Sequence, residues 1–122
     1  MGLKEILPES KIYTKELYGR KWEIEVRIIS YEAKQKYLAT TLKRLNIKNK
    51  EDIEMSNITA QDLIETFRIL FFNALNYLKI DGEEEKLNNE TYEYLVKNLG
   101  TACDWIQECI LDFNGNFFLA KK

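Results

Sequence analysis

Between Trp22 and Ile28 the chain alternates apolar and charged residues without a break. Trp22, Ile24, Val26 and Ile28 share one parity, and Glu23, Glu25 and Arg27 share the other. Successive side chains of a strand point to opposite faces, so this is the period-2 signature of a strand with one face buried and one wetted. The preceding segment, Lys11 to Tyr18, is rich in strand formers (Ile12, Tyr13, Thr14, Tyr18). Gly19-Arg20 separates the two runs where a tight turn needs a residue with positive φ. Residues 11–29 therefore predict a β-hairpin, with residues 1–10 as a lead-in.

From Ser30 the period changes to that of a helix. Ser30 is an N-cap residue and Glu32 falls in the first turn, where the helix dipole favours an anion. Tyr31, Leu38, Leu42 and Leu45 share one side, so a first helix spans about Tyr31 to Leu45 and stops near Asn46. A polar connection follows, with Ile53 and Met55 as its apolar residues. Thr59 with Asp62 resembles a capping box and opens a second helix. Its stripe, Leu63, Ile64, Phe67, Leu70, Phe71, Ala74, Leu75 and Leu78, keeps helical spacing to the end and predicts one helix through Leu78. Asp81-Gly82 and the acidic run Glu83 to Glu85 then read as a solvated loop.

Asn88 or Asn89 caps the last helical region, whose stripe is Tyr92, Leu95, Val96, Leu99, Cys103, Ile106, Ile110 and Phe113. The spacing carries through Gly100, which favours one long helix weakened there by about 1 kcal/mol relative to alanine. The competing reading ends one helix at Gly100 and starts another at Thr101. Asn114-Gly115 stops the helix in either case. The fold class is α+β: one domain with an N-terminal hairpin, packed through Trp22, Ile24, Val26 and Ile28 onto a body of three to four helices over residues 30–113. Residues 114–122 form an apolar and basic tail.

Composition narrows function by exclusion. The 122 residues contain no histidine, which removes the commonest general base, histidine triads and histidine-containing zinc sites. Cys103 and Cys109, six residues apart on one helix, lie ~9 Å apart along its axis and on different sides, which is unsuited to a disulfide. Cys103 reads as core. The five glycines are scattered singly, so no phosphate-cradling loop exists. No catalytic residue, cofactor or metal is expected. Residues 1–50 hold 12 Lys/Arg against 6 Asp/Glu, whereas residues 51–122 hold 6 against 14. Because the basic residues are interleaved with acids, no cationic stripe forms and nucleic acid is not an expected partner. No apolar run approaches the roughly 20 residues of a membrane span, and no export signal is visible, so the bacterial cytoplasm is the expected setting.

Three groups of residues remain as candidates for protein contacts. Ile69, Phe72 and Tyr77 widen the second helix's stripe beyond one face, as in a helix central to the domain or half-covered by another chain. Asp104, Glu108 and Asp112 repeat at i, i+4, i+8, either as a docking edge for a basic partner or as a solvated face. Phe117, Phe118 and Leu119 either fold back over the body or dock on another subunit. The opposite charge balances of the two halves suit a head-to-tail contact between copies, giving a homo-oligomer.

The order of elements carries a resemblance. A hairpin around Trp22-Glu23-Ile24-Glu25-Val26-Arg27 opens the chain, a helical body follows, and an amphipathic helix leads to Asn114-Gly115 and a lysine-rich end. This resembles the tail assembly chaperones of tailed bacteriophages and phage-tail-like particles. The resemblance implies a non-enzymatic assembly factor that self-associates, coats the helical tape measure protein, and is displaced as tail tube proteins polymerise. A second reading is a small acidic phage or mobile-element protein whose acidic C-terminal half inhibits a host protein.

Overall fold

A computed structural model describes residues 2–6, 9–45 and 60–115 of the chain. The hairpin is formed by β1 (Ser10–Leu17) and β2 (Arg20–Arg27), paired antiparallel from Ser10 opposite Arg27 to Leu17 opposite Arg20. The turn is Tyr18-Gly19, one residue earlier than expected. Both residues have positive φ (57° and 73°), the combination that matches the twist of two-residue hairpins. Before the hairpin, Leu3–Glu5 makes a single 3-10 turn.

Alternation in β2 ends at Arg27. Trp22, Ile24 and Val26 are buried, but Ile28 is 42% exposed and the next residue, Ile29, is buried instead. The strand stops because Asn114 clamps its end: its Oδ1 accepts the Ile29 amide proton at 3.0 Å, and its Nδ2 donates to the Arg27 carbonyl at 3.3 Å. Helix α1 (Tyr31–Leu45) follows as expected, capped by Ser30, whose Oγ accepts the Ala33 amide proton at 3.2 Å. Its buried face differs from the expected one. Ala33 and Tyr37 are enclosed, while Tyr31 is 78% exposed. Thr59 and residues 46–59, with the side chains of Leu42, Leu45 and Asp62, lie outside the described residues.

Helix α2 (Ala60–Asn73) ends five residues before the expected Leu78, and β3 (Leu75–Ile80) takes its place. Arg27 makes the switch. Its backbone N–H donates to the Ala74 carbonyl at 2.9 Å, its Nε to the Asn73 carbonyl at 3.2 Å and its Nη1 to Asn76 Oδ1 at 3.0 Å. Leu75 and Leu78 are three apart, a helical spacing, yet both are buried on the sheet. The register explains this: Leu75 faces Val26 and Leu78 faces Ile24, with a bulge between them. One extra residue in β3 lets an i, i+3 pair share a face.

Asp81 and Gly82, both with positive φ, then turn the chain into β4 (Glu83–Glu85), so the expected solvated loop is a second hairpin. Asp81 ties this turn to β2: Oδ1 accepts from the Lys21 amide at 2.9 Å and Oδ2 from Arg20 Nη1 at 2.7 Å. The Lys21 amide, and then Arg20, hold its carboxyl below the ordinary range. Among the described residues the strands form one antiparallel sheet in the order β1-β2-β3-β4.

The last helical region divides, in favour of the reading that was second. Helix α3 (Asn89–Asn98) is capped by Asn88, whose side chain accepts the Thr91 amide proton at 2.9 Å. Leu99 leaves helical geometry (φ −129°, ψ 64°), and α4 (Gly100–Asn114) restarts at once, ending on Gly115 at φ 83°. No side chain of the N-cap residue bonds α4. Instead the Ala102 amide donates to the Tyr18 hydroxyl at 3.3 Å. An orphan N–H of the first turn is thereby satisfied from the β1–β2 turn.

Helix α4 lies across β1 and β2, α2 packs on β3, and α1 packs on α2. The core between them holds Trp22, Ile24, Val26, Leu70, Phe71, Leu78, Tyr92, Ile106 and Ile110. The opposite face of the sheet carries the Glu23, Glu25, Tyr77 and Lys79 side chains, all half-buried.

Candidate functional site

The three apolar candidates do not converge. Ile69 is 8% exposed and belongs to the core. Phe72 is half-buried on α2, edge-on to Phe71 at 5.0 Å and 5.5 Å from Tyr92, with the Arg68 guanidinium 5.0 Å from its ring. Tyr77 lies on β3 rather than on a helix, on the sheet face away from the core. Its hydroxyl donates to Glu23 Oε2 at 2.6 Å, which pushes its pKa up to about 12, and Lys79 Nζ sits 4.7 Å from its ring.

The acidic candidates do share one side of α4, and all three are exposed. Asp112 accepts a hydrogen bond from the Tyr13 hydroxyl at 2.9 Å, which couples the strip to β1. Burial, helped by this bond, raises the Tyr13 pKa to about 12. Asp104 borders a depression of about 440 Å³ between α2 and α4, beside Ile64, Phe67 and Cys103. Phe117, Phe118 and Leu119 lie outside the described residues.

Cys109 is buried and Cys103 half-buried, both as free thiols. Burial pushes both up to about 11, so they stay protonated at neutral pH and are weak nucleophiles. Among the described residues no group of His, Cys, Asp or Glu has the arrangement of a metal site. Among the described residues no helix is long and apolar enough to cross a membrane.

A second concavity, of about 540 Å³, was not anticipated from the sequence. It opens between the β3–β4 hairpin and α3. Its accessible apolar side chains are Ile80 from β3 and Leu99 from the end of α3, half-buried above the enclosed Trp22, Leu78 and Leu95. Glu84, Glu85 and Lys86 form one bank, and Glu90 and Tyr94 the other. Tyr94 is 60% exposed, an aromatic ring standing at the lip. The readable signal was Asp81-Gly82, a dipeptide strongly favoured in tight hairpin turns, which places Glu84 and Glu85 on a strand beside the α3 N-terminus. A groove of this kind takes up apolar side chains, and three carboxylates against one lysine on its banks favour cationic flanks.

Compared with protein families, curated proteins and solved structures, the chain finds no match.

Proposed function

We propose that the chain is a non-enzymatic phage tail assembly chaperone, acting in the cytoplasm of the host bacterium. In this reading it self-associates and holds the tape measure protein until tail tube subunits polymerise. The observation that carries the reading is the open groove between the β3–β4 hairpin and α3. Apolar grooves with charged banks are a standard way to hold one side of an amphipathic segment. The N-terminal hairpin and the amphipathic last helix ending at Asn114-Gly115 also agree with the element order of that family, although β3 and β4 interrupt the helical body.

The test is co-expression with the tape measure protein encoded beside it. The chaperone keeps that protein in the soluble fraction, and Tyr94→Ser with Glu90→Lys loses this effect while the variant stays folded. A tape measure protein equally soluble alone, or equally insoluble with the chaperone, overturns the reading. The exposed carboxylates Asp104, Glu108 and Asp112 favour a second reading, an inhibitor of a basic host protein; reversing their charge discriminates, because it spares tape measure solubility.

A further inference from the structure

We infer that, in copies holding no tape measure protein, the groove between the β3–β4 hairpin and α3 receives the Phe117-Phe118-Leu119 segment of a second copy of the chain. This deepens the self-association in the proposed function and rests on that reading.

Three observations lead there. The first is chemical fit. The groove offers Ile80, Leu99 and Tyr94 as accessible apolar side chains above the enclosed Trp22 and Leu78, and a net acidic rim (Glu84, Glu85 and Glu90 against Lys86). After α4 the sequence reads Phe117-Phe118-Leu119-Ala120-Lys121-Lys122. It offers three large apolar side chains for the groove, and two lysines two and three residues beyond Leu119 for the rim. Charge pairs at such a rim steer encounter and fix direction, while the buried rings supply most of the binding.

The second observation is distance, which rules out the chain's own groove. The groove touches Leu99, at the start of α4, whereas the segment departs from Gly115, at its end. Fourteen residue steps of helix separate those ends by about 21 Å. Leu119, four residues past Gly115, reaches at most about 14 Å even when fully extended. The sheet gives the same answer. Asn114 is tied to Arg27, at one end of β2, and Trp22 in the groove floor is five residues away, about 17 Å along the strand.

The third observation is orientation. Groove and departure point lie at opposite ends of α4, so they cannot meet in a two-fold exchange confined to one patch. Each copy donates at one end and accepts at the other. This is a head-to-tail contact, and it builds open chains or closed assemblies, the smallest of them an antiparallel pair with two equivalent contacts.

Complementation tests this with the full chain. Sedimentation velocity of the native protein shows mass growing with concentration. Phe117→Ser with Phe118→Ser removes the donor, and Tyr94→Ser with Glu90→Lys removes the acceptor. Both pairs change exposed or terminal positions, and unchanged melting temperatures certify the fold. Each variant alone weakens association by about tenfold or more. An equimolar mixture recovers one intact donor and one intact acceptor, and stops at a heterodimer.

Lys121→Glu with Lys122→Glu also blocks growth, and Glu84→Lys with Glu85→Lys in the same chain restores it. A native protein that stays monomeric, a variant that associates like the native chain, or a mixture that remains monomeric overturns the inference. The function and this contact fail separately. A monomer that still solubilises the tape measure protein sinks only the contact, and an assembling chain that does not solubilise it sinks only the function.

Discussion

The Tyr18 hydroxyl accepts the amide proton of Ala102, 84 residues further along the chain. The tip of the first hairpin thus caps the last helix, at the position where a local Ser or Asp side chain would normally do so. Tyr18 also sits at φ 57° in the turn and lies against Trp22, with ring centroids 6.0 Å apart.

Tyr18→Phe keeps the ring contact and removes the acceptor. It is expected to cost about 0.5–1.5 kcal/mol in chemical denaturation. Hydrogen exchange at Ala102 should accelerate in the same variant. Unchanged stability and exchange would show that this cap contributes nothing.

Gly100, immediately after the break at Leu99, has open space where a Cβ would lie and does not adopt positive φ. Gly100→Ala therefore stabilises by about 0.4–1 kcal/mol, through the unfolded chain and helix propensity. A rise in the denaturation midpoint with an unchanged slope checks it. A loss of stability would mean that α3 and α4 need the glycine to change direction.

These two positions mark the boundary of what local pattern reveals. The β2 alternation as far as Val26, the Ser30 cap, a cap at Asn88 or Asn89 and the Asn114-Gly115 stop depend on neighbours within a few residues, and these were legible. The break at Leu99 ran against the favoured reading of one long helix, because the group that satisfies the new helix end belongs to Tyr18. The strand β3 was misread for a related reason. A bulge against β2 converts the helical spacing of Leu75 and Leu78 into one strand face, and a bulge is a property of the pair. The groove followed β3 out of view, although Asp81-Gly82 announced its hairpin. Of the candidate contact residues, Asp104, Glu108 and Asp112 are together on α4, while Ile69, Phe72 and Tyr77 occupy three separate environments.

Arg27 bonds the last carbonyl of α2 and the Asn76 side chain, so it holds the helix-to-strand switch. Arg27→Gln is expected to lose about 1.5–3 kcal/mol, the range for hydrogen bonds to a charged group. Amide exchange should rise first in Leu75 to Ile80. If protection there persists while global stability falls, the guanidinium acts elsewhere.

Three phenols titrate late. The hydrogen bond to Glu23 raises Tyr77 to about 12. Burial raises Tyr13 to about 12, reinforced by the bond to Asp112. Burial raises Tyr92 to about 12 against the opposing pull of Arg68. A folded-state pKa above the unfolded value near 10 means that the native state holds its proton more tightly. The associated stability is complete below about pH 10 and is lost as pH climbs toward 12. Denaturation midpoints measured between pH 9 and pH 12 should fall over that window, and Tyr77→Phe should shallow the fall. A flat profile would remove these bonds from the stability account.

The inner surface of β2, the centre of the core, is roofed by α4, which leaves the ribosome about 75 to 85 residues later. At about 5–20 residues per second, synthesis leaves that strip without its roof for roughly 4–17 s. Translation speed over residues 30–110 thus becomes a variable of the folding yield, and synonymous codons there acquire a physical meaning that the mature molecule no longer displays.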